Sequence, residues 1–486
     1  MNLLKLIVVS ILTVSPITAT AASEPADSAP QLAKPTPQQL TWQDAEIGMM
    51  ISFGLETWLD KETDDEPKLE NLKLFNPTNV DTDQWVSVAE SMGAKYIILV
   101  AKHLGGFCLW QTDTTEYSIK NTPYKNGKGD IVAELAASCR KKGMRLGVYL
   151  SPADFFYGAI VGGGGRCETP EQEKIYFPKY RQQLTELLAN YGTMFEIWFD
   201  GSCIIPVGDI IAKYAPNALG FQGQYQHIGN KYTDLRWVGN ERGWAPYPVF
   251  NAVSAEAAKS GTSTAKDGDP YGKVWVPLEC CTVIRDAWFW NTTNAESLRE
   301  LTQLKEIYYY GNYLLPLMDI YYHSVGHGAG LLLNANPDRS GRIPAPDARR
   351  AAEFGAEIKR RFGKSIMETS GAGDVLELSL GKPTVIDHVV TQEVIARGQR
   401  ILEYVIEGRA DDRWKPLAKG SSIGHKKIDW FEPISLSHVR LRVLKSIAPP
   451  LIRKLAVYHA GVIPDPAHWK WTWAATDVPD EIVGVW

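Results

Sequence analysis

The sequence predicts an α/β protein in which a (β/α)8-type barrel is followed by a C-terminal antiparallel β-sandwich. Three observations carry this prediction. Short apolar, β-prone runs begin at residues 47, 95, 144 and 195, a spacing of roughly fifty residues that leaves room for a helical crossover in each gap. Amphipathic helical patterns occupy those gaps. After about residue 366 helical periodicity gives way to apolar/polar alternation, the signature of half-buried antiparallel strands.

The chain opens with Lys5, the apolar stretch Leu6 to Val14 and the small-residue run Ala19-Thr20-Ala21. Residues 1–21 therefore read as a secretory signal, and the apolar run is too short to span a bilayer. The expectation is an exported protein, periplasmic or secreted, with no membrane anchor. Residues 22–40, rich in Ala, Pro and Gln, read as a disordered linker.

Residues 41–365 carry the barrel pattern. Ile47 to Leu55, Lys95 to Ala101, Met144 to Leu150 and Phe195 to Phe199 are the first four strand runs. Between them, Trp85, Val88, Ala89 and Met92 share one helical face before Gly93. Asp130 caps a helix bearing Ile131, Leu135 and Cys139 and stopped by Gly143. Tyr180, Leu184, Leu187, Leu188 and Tyr191 form a third stripe ended by Gly192. An open doubly wound sheet fits the same alternation. The closed barrel is favoured because the units continue towards residue 365 and no phosphate-binding glycine motif follows the first strand. Gly162 to Gly165 neither follows a strand nor opens a helix, so it reads as a mobile loop on the active-site face.

In the C-terminal part, 366–486, Val375 to Leu380 and Val439 to Val443 alternate apolar and polar residues. Trp469, Trp471 and Trp473 alternate on one strand face and read as a packing surface rather than a sugar platform.

Composition narrows the function. The net charge is −5 and the pI about 6.1, which leaves no basic stripe for a nucleic-acid partner. Six cysteines in 486 residues are not a disulfide framework, and the adjacent Cys280 and Cys281 read as two packed thiols. His323 and His327 have i,i+4 spacing, but Gly326 and Gly328 argue against a helix there, so neither a metal nor any other cofactor is expected. Against this background two carboxylates stand out. Asp200 follows the strand run Phe195 to Phe199. Glu241 lies in the aromatic-rich loop Trp237-Val238-Gly239-Asn240-Glu241-Arg242-Gly243. One carboxylate at the C-terminal end of a barrel strand and another in a later loop are the parts that glycoside hydrolysis requires.

Several segments then resemble, in order, those of glycoside hydrolase family 29, the α-L-fucosidases. They include Leu74 to Pro77, Lys95 to His103, Gly106 to Trp110, Tyr149 to Pro152, Glu196 to Gly201, Leu331 to Asn334 and, in the C-terminal part, Gly424 to Ile428. The resemblance implies an imperfect barrel with a β-sandwich behind it, and removal of terminal α-L-fucose with retention through a glycosyl-enzyme intermediate. It implies Asp200 as nucleophile. Glu241 matches the acid/base of the branch acting on α-1,3/1,4-linked fucose, with Glu279 as its rival. The sugar-binding positions it implies are His103, Trp110, Tyr149, Trp198 and Trp237, together with Ser52, Leu104 and Ala153.

Those last three depart from the family pattern. Ser52 stands where the family has a His, Leu104 where it has a second His, and Ala153 where it has a Trp. Each replacement removes a hydrogen-bonding group or shrinks the side chain, and each lost bond to a sugar hydroxyl costs roughly 1–3 kcal/mol. Three readings follow for an oligosaccharide or polysaccharide substrate: an α-L-fucosidase, an α-L-galactosidase using the same carboxylates in a roomier pocket, or a catalytically degenerate glycan-binding protein. Oligomeric state is not legible.

Overall fold

The computed structural model describes residues 31–223, 234–293, 297–304, 308–309 and 312–465. The expected signal at 1–21 and the strand bearing Trp469, Trp471 and Trp473 lie outside the described residues.

Eight parallel strands form the barrel: β1 (Ile47–Ile51), β2 (Tyr96–Lys102), β3 (Arg145–Leu150), β4 (Met194–Trp198), β5 (Leu219–Phe221), β6 (Arg236–Trp237), β7 (Leu278–Val283) and β8 (Gly330–Asn334). They hydrogen-bond in the order β5-β4-β3-β2-β1-β8-β7-β6. The two ends of this sheet meet at one parallel bridge between Phe221 and Leu235, so the barrel is closed by its thinnest point. Every residue of β1 and β2 is buried, which is why these strands read as continuous apolar runs: such strands are covered on both faces.

Alternation sorts the two faces. Met49, Ile51, Ile97, Leu99, Val148 and Ile197 pack outwards against the helices. Met50, Tyr96, Ile98, Tyr149, Trp198, Phe221 and Leu332 fill the interior. Gly48 makes the interior possible, since a Cβ there would lie 2.4 Å from the Tyr96 ring.

The helices start and stop as their cap residues dictate. Helix α1 spans Pro37–Ala45 and α2 Thr82–Met92, the latter capped by the Asp81 side chain and ended by Gly93 at φ 91°. Helix α3 (Ile131–Lys142) is capped by Asp130 and ended by Gly143, and α4 covers Pro170–Asn190. Helices α5 (Gly208–Tyr214), α6 (Leu317–His323) and α7 (Ala345–Phe362) follow.

Helix α1 corrects the linker assignment. Residues 37–40 are helical, and Thr36 with Gln39 forms a capping box ahead of them. Trp42 on this helix is buried and donates to Glu196 Oε2 at 2.9 Å. The polar stretch is therefore structured because its end plugs the N-terminal mouth of the barrel. The six cysteines are free and buried.

The C-terminal strands are β9 (Met367–Ala372), β10 (Val375–Glu393), β11 (Ile401–Ala410), β12 (Arg413–Gly420), β13 (Lys427–Ser446) and β14 (Leu451–Tyr458). They form one antiparallel sheet ordered β9-β14-β10-β13-β11-β12. Register shifts between Ser379 and Thr384 and between Ile386 and His388 break the long β10–β13 pairing. Such irregularities bend and twist a sheet, and both halves of β10 contribute to one core with Leu378, Leu380, Ile386, Val389, Leu441 and Val457. Among the described residues no helix is long and apolar enough to cross a membrane.

Candidate active site

In this barrel the side chains of Glu196, Trp198 and Asp200 follow one another along the inward face of β4 and its exit. The deepest layer is acidic. Glu196 and Glu279 are fully buried. Trp42 donates to Glu196, while Trp198 Nε1 and Tyr96 Oη donate to Glu279 at 2.8 and 3.1 Å. Burial drives both carboxyls upwards, and their mutual repulsion pushes Glu196 up further. The charged forms of both carboxyls are therefore disfavoured at this floor.

Above this floor lies an aromatic stack. Trp198 lies on Phe221 at 3.9 Å and 7°, and Tyr149 lies on Trp198 at 5.4 Å and 19°. The Tyr149 hydroxyl then donates to Asp200 Oδ2 at 2.7 Å. Burial raises the Asp200 carboxyl, opposed by the Tyr149 bond, by the charge of His103 and by the Gly201 amide. The His103 ring is 5.8 Å from that of Tyr149 and 5.1 Å from that of Phe289. Its Nδ1 is 3.3 Å from the buried Glu56 carboxylate.

Glu241 enters from the loop after β6. Its carbonyl accepts from Thr282 Oγ1 at 2.7 Å, and its Oε2 accepts from Trp288 Nε1 at 3.0 Å. The backbone amide of the same Trp288 donates to Glu62 Oε2 at 2.8 Å. Glu62 is pushed up to about 7, chiefly by burial, with the Glu241 charge adding to the rise and the Trp288 amide and His103 opposing it. His103 thus faces Asp200, Glu56 and Glu62, and Glu62 faces Glu241. The two carboxylates singled out in the sequence belong to one electrostatically connected cluster at the C-terminal mouth of the barrel, where barrel enzymes build their sites. Gly162–Gly165 borders it: Gly164 O accepts from Ile204 N at 2.8 Å, in the segment just past Asp200.

Other positions depart from expectation. Trp110 is fully buried in the layer between barrel and helices, and its indole donates to Glu186 of α4 at 2.8 Å. An outward-pointing ring cannot line a pocket inside the barrel, so Trp110 is structural. Trp237 faces the interior with Nε1 3.3 Å from Cys281 Sγ. Ser52, Leu104 and Ala153 are 2, 6 and 4 % exposed. Ser52 Oγ accepts from Asn334 at 2.9 Å, its amide donates to Asn336 Oδ1 at 2.8 Å, and Asn336 also holds the Trp288 carbonyl. The residues replacing the family's larger ones are thus closed over rather than opened to solvent.

Glu279 is not at this mouth. It pairs in register with Gly330, the first residue of β8, beneath Trp198. Replacing Glu279 with Ala leaves two buried donors without an acceptor, at about 1–3 kcal/mol each. The expected outcome is a clearly lowered melting temperature. An unchanged melting temperature with acid catalysis lost would return Glu279 to the catalytic role.

Sequence reading missed Glu56, Glu62 and Trp288. Their signal was present in the acidic stretch Glu56 to Glu66 just past β1 and in Trp288-Phe289-Trp290 past β7, because loops after barrel strands are where such sites assemble.

Residues 65–361 match the model of the family described as Alpha-L-fucosidase. The chain belongs to that family. It is 32% identical to Alpha-L-fucosidase 1 of Arabidopsis thaliana over 92% of each chain. Among solved structures, a glycoside hydrolase 29 family member from an unknown rumen bacterium is similar at TM-score 0.74 and 32% identity, covering 93% of this chain and 80% of that one. A Ruminococcus gnavus GH29 fucosidase in complex with fucose is similar at TM-score 0.76 and 25% identity, covering 90% and 97%. As a member of the α-L-fucosidase family the chain is a glycoside hydrolase. Among its described residues no group of three His, Cys, Asp or Glu side chains could hold a metal ion.

Proposed function

We propose that this hydrolase is exo-acting and retaining, and that it releases terminal α-L-fucose with Asp200 as nucleophile and Glu241 as acid/base. The observation that carries this reading is the cluster itself: a carboxylate at the exit of β4 held by Tyr149, and a second held by Trp288. Asp200 attacks the anomeric carbon while Glu241 protonates the departing oxygen. Glu241 then takes a proton from the water that cleaves the glycosyl-enzyme. The Tyr149 bond and the facing His103 favour the ionised form of Asp200 against its burial, as a nucleophile needs. Trp237 supplies a ring face inside the barrel for a sugar to lie against, while Trp198, covered by Phe221 and Tyr149, supports the Tyr149 ring from below.

The Trp-x-x-Asn-Glu-x-Gly form of the Glu241 loop supports the branch that cleaves α-1,3/1,4 linkages. The leader-like residues 1–21 support export to the periplasm or beyond, where the substrate would be a glycan end.

Fucose is favoured over L-galactose because Ser52, Leu104 and Ala153, which replace larger residues, are each buried among neighbours rather than left open for an added hydroxyl. The test is hydrolysis of aryl α-L-fucoside against aryl α-L-galactoside, with free monosaccharide quantified. Preference for the fucoside is expected. A preference for the galactoside would replace the substrate assignment, and release of neither sugar from well-folded protein would favour a binding-only role.

A further inference from the structure

The loop that carries Glu241 is held at one end by the barrel and at the other by the C-terminal sheet. Its first limb belongs to the barrel. Val238 N donates to Glu279 O at 2.9 Å, and Thr282 Oγ1 donates to the Glu241 carbonyl. Asn240 folds the turn around Glu241, its Oδ1 accepting from Arg242 N at 3.0 Å and its Nδ2 donating to Trp244 O at 3.2 Å.

The second limb finds most of its partners elsewhere. Ala245 N donates to His323 O at 2.8 Å, and the Ala245 carbonyl accepts from His327 Nδ1 at 2.9 Å. Tyr247 Oη accepts from the amides of Ser421 and Ser422 at 2.8 and 2.9 Å and donates to Ser422 O at 2.8 Å. Val249 N donates to Ser422 Oγ at 3.2 Å. Gln399 grips positions 249 and 251: its Oε1 accepts from Asn251 N at 3.1 Å and its Nε2 donates to Val249 O at 2.9 Å.

Gln399 lies just before β11, and Ser421 and Ser422 just after β12, so both grips come from the far sheet. Gln399 and Ser422 are 7 and 1 % exposed, which shields these bonds from water. Gly420 lets the Tyr247 hydroxyl in, because a Cβ there would sit 2.4 Å from Oη. Lys427 Nζ, 5.2 Å from the centre of the Tyr247 ring, holds the other side.

We infer that Tyr247 and Gln399 are positioning residues for the acid/base, and that the C-terminal sheet sets where Glu241 stands through this clamp. The inference rests on the reading of Glu241 as acid/base. Both residues are inferred to act through the loop and not on the reacting atoms. Their action is to fix a loop whose displacement by one ångström is enough to misalign a proton transfer.

The test is the leaving-group dependence of Tyr247→Phe and Gln399→Met on a series of aryl α-L-fucosides and an unactivated fucoside, with folding checked by thermal melting. An acid held out of place matters only when the departing group needs a proton. The expected result is a loss of about tenfold in kcat/KM on unactivated substrate, with less than about twofold on a dinitrophenyl leaving group. An equal loss on all substrates, or no loss, in a folded variant overturns the inference. Should Gln399→Met fail to fold, Tyr247→Phe decides alone, since it keeps the ring and removes only the hydroxyl. Glu241→Gln in the same series separates the two readings. If it shows the leaving-group dependence and the clamp variants do not, only the clamp falls. If Glu241→Gln does not show it, the acid/base assignment falls and the clamp's role with it.

Discussion

Asp200→Ala is expected to lower kcat/KM on an aryl α-L-fucoside by on the order of 10⁴-fold or more, because on the proposed mechanism Asp200 is the group that forms the covalent intermediate. The protein should remain folded. Burial raises the Asp200 carboxyl, so the native fold bears a desolvation cost that Ala removes, while the Tyr149 hydroxyl loses one acceptor. Asp200→Asn retains an oxygen for that hydroxyl and separates the two effects: it should be as inactive as Ala while melting close to wild type. Azide entering the space vacated in Asp200→Ala attacks from the nucleophile's side and gives the inverted β-L-glycosyl azide. Residual activity above a tenth of wild type in both variants would remove Asp200 from the nucleophile role.

Glu241→Ala is the second large effect, and its form matters more than its size. General acid catalysis contributes about 10²–10⁴-fold, so substrates with poor leaving groups should lose activity in that range. Dinitrophenyl fucoside should still form the glycosyl-enzyme, whose hydrolysis then becomes slow for want of a base. Azide should rescue turnover and give the α-L-glycosyl azide, with configuration retained. Glu62 is the informative comparison, because it shares Trp288 with Glu241 and is pushed up to about 7, a value suited to proton donation near neutral pH. A retained azide product from Glu62→Ala and none from Glu241→Ala would move the acid/base assignment to Glu62.

The contrast between Glu241 and Glu279 shows what sequence can resolve. Both are glutamates within a few residues of a tryptophan, and both sit in or just past a short β-prone run. Only alternation within β7 and its pairing with Gly330 put Glu279 at the floor, below Trp198, while Glu241 stands at the mouth on a loop. Trp110 failed for a similar reason. It follows β2 closely enough to suggest the pocket, but the chain turns outwards there and the indole meets Glu186 of α4.

The periodic signals were the most legible. Strand runs starting at 47, 95, 144 and 195 became β1 to β4 within one residue of those starts, and Asp130, Gly93 and Gly143 bounded helices as their side chains and backbone freedom require. Such features are local: burial on both faces, a cap's side chain and a glycine's positive φ act over a few residues and leave their mark in order along the chain. The barrel, the C-terminal sheet and the carboxylate at the exit of β4 were therefore determined by the sequence itself. The grouping of Glu56 and Glu62 with His103, and of Trp288 with Glu62 and Glu241, was decided by how the barrel strands are arranged. So was the hold of Gln399 and Ser422 on the Glu241 loop, by contact with the far sheet. The bonds Asn251–Gln399, Val249–Ser422 and Trp288–Glu62 among them join residues more than a hundred positions apart, and no periodicity or spacing along a chain encodes which distant side chains a closed surface will bring face to face.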